Sequence, residues 1–236
     1  MAYQVAVVGA GAVGLSTALS IQQRFHNAKV TLIAERFDEG TTSWGAGGFF
    51  RLDLDDYPLE ERDNLRQWGR ESWKFYTDLA RSEQAHDSGM AFVAGTLLLK
   101  TQKDSGYSLM SELTHDFLKF DETNIKKLNM PVSYNYGYSF TTVVTHVPSY
   151  LRWLMQSLDC VSECMCIKAL MDINSNMEQL KMQLSNDFDV VVTCCGLKAA
   201  QLCNDESTFP VMGHIVKVKA PWFKKFFYCE DLYIIP

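Results

Sequence analysis

The sequence has little positive charge to spare: 22 lysines and arginines stand against 28 aspartates and glutamates, a net charge of −6. No basic stripe is available for a phosphodiester backbone, which excludes nucleic acid as a partner. No apolar run approaches the length of a membrane span, so no membrane partner is expected. The first strand begins by Val5, which leaves no room for a signal peptide. There is no internal repeat and no low-complexity linker. Seven cysteines, an odd number in a non-secreted chain, argue against a disulfide framework. No histidine lies near the loose cluster Cys160, Cys164 and Cys166, so no metal site is expected and these thiols read as core residues. No His–Asp constellation for proton transfer stands out. What remains is an ordinary globular composition, long enough for one large domain or two small ones.

The most informative stretch is "VAVVGAGAVGLSTAL", residues 5–19. Small hydrophobics run into Gly9, Gly11 and Gly14, and these run into helix formers. Glycine at those positions permits a tight turn, close approach of backbone to a pyrophosphate, and packing of helix on strand. The phosphates then meet free N–H groups at the helix N-terminus. A second strand follows over 29–34, completing a β-α-β unit. Glu35 ends it, 21 residues past Gly14, where a carboxylate can accept hydrogen bonds from ribose hydroxyls and would repel a 2′-phosphate. This unit alone does not separate NAD from FAD. The next segment, "TTSWGAGG", reads either as a cradle for more pyrophosphate or as a solvated turn. The late run "DVVVTCCG", ending at Gly196, reads either as a strand returning to cover a dinucleotide or as an ordinary core strand and turn.

Elsewhere, apolar spacing predicts helices over 15–25, 59–82, 150–158 and 197–202, and a short helix capped by Asp121. In the second of these, Leu65, Trp68, Phe75, Tyr76 and Leu79 share a face. Strands are expected over 4–8, 92–100, 137–144, 164–170, 179–184, 190–194 and 210–219. Buried, parallel-type strands near 5, 30 and 190 bracket half-exposed ones in the middle. The fold expected is therefore α/β: a discontinuous Rossmann-like dinucleotide domain over 1–58 and 146–205, with an inserted mixed or antiparallel sheet domain over 59–145 and 206–236.

Taken together, "VVGAGAVGLSTAL", "AERF", "TTSWGAGG", "FTTVVTHVPSYLRWL", "DVVVTCCG", "FPVMGHIVKVKAPW" and "LYIIP" resemble the D-amino-acid oxidase family, flavoproteins of the glutathione-reductase-like class. The pieces fall in the family's order from the first strand to the last residue, and two of them lean toward its D-aspartate oxidase branch. The resemblance implies FAD as cofactor. It sets Ala10, Val13 and Gly14 against the pyrophosphate, Glu35 and Arg36 at the adenosine ribose, and Ile167 near the adenine, with Gly9, Gly11 and Gly196 also among the cofactor-binding residues. Thr41, Thr42, Ser43, Gly48 and Phe49 fall at the pyrophosphate and flavin end, and Tyr233 at the substrate carboxylate. It further implies oxidation of a D-amino acid, acidic ones foremost, by hydride transfer from Cα to flavin N5. Imine hydrolysis to a keto acid and ammonia follows, and dioxygen is reduced to hydrogen peroxide. Peroxisomal residence is implied as well, or a cytoplasmic one for a chain that ends without the targeting tripeptide.

The sequence also departs from that pattern. The family's chain continues past "YIIP" to an arginine that pairs with the substrate carboxylate, so a chain ending at Pro236 is expected to be a fragment or short form without turnover. Arg51 is the one arginine here with a place near the pocket, either as a substitute clamp or as a surface partner of Asp53, Asp55 and Asp56. Met212 and His214 replace the usual arginine and glutamine, Trp44 and Gly45 an Asp-Val pair, and Cys195 a threonine. His214 reads as a hydrogen-bonded strand histidine rather than a base. Two alternatives accompany the oxidase reading: a non-catalytic relative with impaired FAD binding, and an NAD-dependent dehydrogenase resting on the first β-α-β unit alone.

Overall fold

The chain opens with β1 (Tyr3–Val8), α1 (Ala12–Arg24) and β2 (Ala28–Ile33). It continues through β3 (Gly48–Phe49), α2 (Arg62–Arg81), α3 (Ala85–Ser88), β4 (Met90–Leu99), α4 (Ser108–Leu113), β5 (His115–Lys119), α5 (Glu122–Lys127) and β6 (Tyr136–Thr145). Then come α6 (Val147–Asp159), β7 (Met165–Ile167), α7 (Met177–Leu184), β8 (Val190–Thr193), α8 (Ala199–Cys203), β9 (Phe226–Cys229) and β10 (Leu232–Ile234). This computed structural model describes residues 2–103, 107–128, 133–159, 165–167, 176–230 and 232–236, with backbone alone at 159 and 165–167. The expected core thiols Cys160 and Cys164 lie outside the described residues, as does the side chain of Cys166. The chain divides into two compact units, Met1–Ala46 with Val147–Val216, and Gly47–His146 with Lys217–Pro236.

The first unit is a parallel sheet in the order β7-β2-β1-β8. The last four residues of both β1 and β2 are buried in succession, the pattern of parallel strands covered on both faces. Helix α1 covers the sheet through Gly14, Leu15, Ala18, Leu19 and Gln22, the i, i+3/i+4 stripe legible in the sequence. It starts at Ala12, earlier than expected, because the glycine turn leads straight into its first turn. The core gathers Ala6, Val8 and Ile33 with Leu180, Leu184 and Leu202.

Residues 179–184, expected as a strand, belong instead to helix α7. "MEQLKMQL" consists of strong helix formers, and Asn176 caps the helix, its side chain accepting from the Gln179 N–H at 3.0 Å. Leu180 and Leu184, one turn apart, are both buried. Asn176→Ala is expected to cost about 1 kcal/mol, the usual value of such a cap, read as a fall in thermal unfolding temperature with α7 fraying first in hydrogen exchange. Strand β8 forms where expected but is only partly buried, because it is the edge strand of the described sheet. The helix expected over 197–202 begins with a 3-10 turn, Gly196–Lys198, before α8.

The second unit carries a mixed sheet in the order β10-β9-β4-β6-β3, with β5 also on β6. All pairings are antiparallel except β4 with β9. Residues 47–58, expected with the dinucleotide domain, belong here: β3 pairs with β6 and the Phe50 N–H reaches Val143 O at 3.0 Å. Asp121 and Asn124 form the reciprocal cap that opens α5.

Two further expectations fail in instructive ways. The buried face of α2 runs through Gly69, Trp73, Thr77 and Leu79, not through Trp68 and Phe75, which are exposed. Gly69 sets the face. A Cβ there would stand 2.9 Å from Leu52 Cδ2 and 3.0 Å from Leu109 Cδ2, so the helix packs tightly at a position that has no side chain. Residues 210–219 form no strand. Val211, Met212, Val216 and Val218 are all exposed, and His214 sits among them in irregular chain. Alternation supplies a strand's pattern, but a strand also needs a ladder partner, and this segment has none among the described residues.

Candidate functional site

β1 ends at Val8 and the chain turns through Gly9 and Gly11 into α1. Gly9 adopts φ +121°, closed to residues with a side chain, and a Cβ on it would overlap the carbonyl of Cys194. Neighbouring backbone bonds fix this turn: Gly9 N–H to Ile33 O at 2.8 Å and Cys194 N–H to Val8 O at 2.7 Å. Gly14 lies beneath, where any Cβ would overlap the carbonyl of Gly9. The result is a helix N-terminus at the carboxyl end of a parallel sheet. Its first-turn N–H groups have no intrahelical acceptor, and the helix dipole favours an anion there. Ser43 takes one of them, Oγ accepting from the Ala12 N–H at 3.0 Å.

A cleft of about 650 Å³ opens at this point. Among its walls are Gly9, Ala10, Gly11, Val13, Glu35, Arg36, Thr41, Thr42, Ser43 and Gly196, ten of the residues singled out in the sequence. Gly14 supports the turn without reaching the cleft. Ile167 pairs with Ile33 in the β2–β7 ladder. Gly48, Phe49 and Tyr233 belong to the second unit. There Gly48 fits beneath the Thr145 carbonyl, where a Cβ would overlap it, and Phe49 packs edge-on against Phe226 with ring centroids 4.7 Å apart. Tyr233 stacks on Tyr228.

The sequence reading missed Lys198. It lines the same cleft and forms a hydrogen-bonded ion pair with Glu35 Oε2, while Arg36 Nε lies 3.5 Å from Oε1. The hydrogen bond and charge of Lys198, with Arg36 beside it, hold the Glu35 carboxyl below the usual carboxylate range. A carboxyl depressed in the folded state contributes its stabilisation above its unfolded pKa and loses it as pH falls through the folded value. Glu35 is thus expected to stay ionised to lower pH than a free glutamate, and Lys198→Met to return it toward the ordinary range, both read by carbon NMR of the side-chain carboxyl. Burial pushes the Cys194 and Cys195 thiols up, so this wall presents neutral S–H rather than thiolate.

A smaller cleft of about 410 Å³ shares Glu35 as a wall with Trp44 and Arg152, whose guanidinium lies 4.9 Å from the indole centroid. That contact gives Trp44 a packing role. Among the described residues no group of three or more His, Cys, Asp or Glu side chains is arranged to hold a metal ion, and no helix is long and apolar enough to cross a membrane.

The cleft fits an elongated dinucleotide. It offers a glycine turn with no side chain in the way, free N–H donors and a helix dipole for the pyrophosphate, hydroxyls along one wall, and an ionised carboxylate at the end of β2 for ribose hydroxyls.

Comparison with known proteins agrees. The model of the family "FAD dependent oxidoreductase" matches residues 4–236. The chain is 32% identical to human D-aspartate oxidase over 223 residues, covering 94% of this chain and 62% of that protein. It is 26% identical to a D-amino acid oxidase of Dugesia ryukyuensis, covering 98% of this chain and 66% of the relative. It therefore spans a little under two thirds of the length of these relatives. Glycine oxidase from Geobacillus kaustophilus superposes with a TM-score of 0.63 at 14% identity, covering 99% of this chain and 68% of that one, a likeness of fold. With the glycine turn, the Glu35 carboxylate and a family match along nearly the whole sequence, this chain belongs to the FAD dependent oxidoreductases.

Proposed function

We propose that this protein oxidises D-amino acids, acidic ones foremost, to the 2-oxo acid, ammonia and hydrogen peroxide, consuming dioxygen and water. The observation that carries the reading is the cleft of the first unit, built from the residues that the oxidase resemblance assigns to the cofactor. The likeness to human D-aspartate oxidase supports the choice of substrate. When bound, FAD supplies the two-electron acceptor that the side chains themselves lack. The N-terminus of α1 and the Gly9–Gly11 turn hold the pyrophosphate, and Glu35 accepts from the ribose. Thr41 and Thr42 hydrogen-bond along the same wall, and the neutral thiols of Cys194 and Cys195 add no opposing charge. The same resemblance assigns Gly48 and Phe49 to the flavin end, Ile167 to the adenine and Tyr233 to the substrate carboxylate. It also implies peroxisomes as the compartment.

The test is direct. Purified protein titrated with FAD is expected to show the visible spectrum of bound flavin. Anaerobic D-aspartate is then expected to bleach it faster than D-alanine, with L-aspartate inert. A protein that stays colourless defeats the reading at its first step. One that binds flavin but is reduced by no D-amino acid is a non-catalytic flavin binder.

A further inference from the structure

We propose that Lys198 is a positioning residue for the cofactor: it aims the Glu35 carboxylate at the adenosine ribose and is not itself a ligand of the phosphates. The proposal rests on the dinucleotide reading of the cleft and adds to it the group that makes Glu35 an acceptor there.

Glu35 follows the buried end of β2, Leu32 to Ala34, and its side chain keeps 28% of its surface in solvent. A half-exposed glutamate at a strand end has several rotamers open to it. What holds this one comes from the opposite side of β1. In the sheet order β7-β2-β1-β8, β2 and β8 flank β1 and so stand about 10 Å apart, two interstrand spacings. β8 ends at Thr193, and Gly196, at φ +56°, leads the chain into the 3-10 turn that carries Lys198. The Lys198 N–H returns to Cys195 O at 3.2 Å, which ties that turn down. The long lysine stem then bridges from the β8 side to Glu35 Oε2.

Arg36 is the weaker hold. Its Nε lies 3.5 Å from Oε1, and its side chain is 70% exposed. Asp38, Glu39 and Arg152 stand with Glu35 around the smaller cleft, but Lys198 and Arg36 are the charged groups that act on its carboxyl.

Lys198 thus does two things. It fixes the direction of Glu35, because the contact is a hydrogen bond as well as an ion pair. It also keeps the carboxyl ionised, the form that accepts most strongly from a hydroxyl. Each carboxylate oxygen has two lone pairs, so the bond to Lys198 leaves acceptor sites for ribose hydroxyls. Both residues line the cleft beside the glycine turn. The other task open to a lysine here is to attract the phosphates, but its charge is offset by Glu35, and the N-terminus of α1 already serves the pyrophosphate.

The proposal is tested by isothermal titration of the flavin-free full chain with ADP and 2′,3′-dideoxy-ADP. These probes share adenine and phosphates and differ only in the ribose hydroxyls. Wild type is expected to bind ADP at least about tenfold more tightly than the dideoxy nucleotide, the usual worth of hydrogen bonds to a charged acceptor. Lys198→Met is expected to weaken ADP while leaving dideoxy-ADP unchanged, so that the preference falls below about threefold. Glu35→Gln is expected to lose the preference likewise, and Lys198→Arg, which keeps the charge and pairs well with a carboxylate, to restore most of it. In a pH series the wild-type preference is expected to survive to lower pH than any preference left in Lys198→Met, because a protonated carboxyl is the weaker acceptor and Lys198 lowers the pH at which it forms.

Equal weakening of both nucleotides by Lys198→Met overturns the proposal, since it makes Lys198 a plain attractor of phosphate. So does wild-type protein that binds both equally or neither, or a wild-type preference retained in Lys198→Met. Lys198→Arg and Glu35→Gln decide the matter should Lys198→Met fail to fold. The oxidase reading fails separately. Flavin reduction by D-aspartate with FAD affinity unchanged in Lys198→Met removes the positioning role and leaves the oxidase. A Lys198-dependent preference for ADP in a protein reduced by no D-amino acid keeps the role and removes the oxidase.

Discussion

Gly9→Ala is expected to abolish measurable FAD uptake. At φ +121° a side chain is strained whatever the space around it, a cost of about 1–3 kcal/mol. The new methyl would also overlap the Cys194 carbonyl, which cannot step aside, because the adjoining Cys194 N–H is bonded to Val8 O. Overpacking of that kind adds about 1–3 kcal/mol. Since about 1.4 kcal/mol is tenfold in affinity, the sum of about 2–6 kcal/mol is a loss of at least ~30-fold if the cost falls on the bound form. Flavin fluorescence quenching on titration reads it. Gly45→Ala is the control: nothing lies within 4 Å of its Cβ position, and FAD titration should match wild type. Equal affinity in Gly9→Ala would mean that this turn does not hold the pyrophosphate.

The second large effect lies in the other unit. Phe140→Ala is expected to destabilise it by about 3–5 kcal/mol, the usual range for a core phenylalanine. Phe140 is buried at the centre of β6, its ring 5.1 Å from that of Phe226 and 6.0 Å from that of Phe117. Directly across the ladder is Gly95, where a Cβ would overlap Phe226. Phe140 and Phe226 therefore close over a position left empty for them, and neighbouring backbone has little freedom to fill the void. Urea unfolding followed by near-ultraviolet circular dichroism should show the transition of this unit shift to lower denaturant. A shift worth under about 1 kcal/mol would place Phe140 outside the cooperative core.

What could be read in advance follows from the range of the interactions involved. The glycine turn, the α1 stripe and Glu35 were legible because each depends on residues close in sequence. The helix at 177–184 was misread because Gln179 to Leu184 alternates polar and apolar residues as a strand would, while the deciding signal was the cap at Asn176. The face of α2 was misread because a count of hydrophobic residues overlooks Gly69, whose missing side chain sets the contact. Lys198 went unseen because its partner Glu35 is 163 residues away. Arg51 was noticed, but its partners, Tyr107 Oη at 2.9 Å and the ring of Tyr228, come from segments that no local pattern connects to it. Apart from that local cap, the missing information was tertiary.

The position of β1 between β2 and β8 has a consequence for biosynthesis. One neighbour follows almost at once, but the other, Val190–Thr193, leaves the ribosome only after the whole Gly47–His146 segment. At roughly 5–20 residues per second the nascent chain carries an unpaired edge of buried-type valines for on the order of ten seconds or more. During translation that edge is exposed to any other strand within reach. The second unit faces the same delay, since β9 reaches β4 only after the segments between them have been made. A messenger cut short before codon 190 would therefore yield a polypeptide with an open sheet edge, a client for chaperones and proteases rather than a smaller flavoprotein.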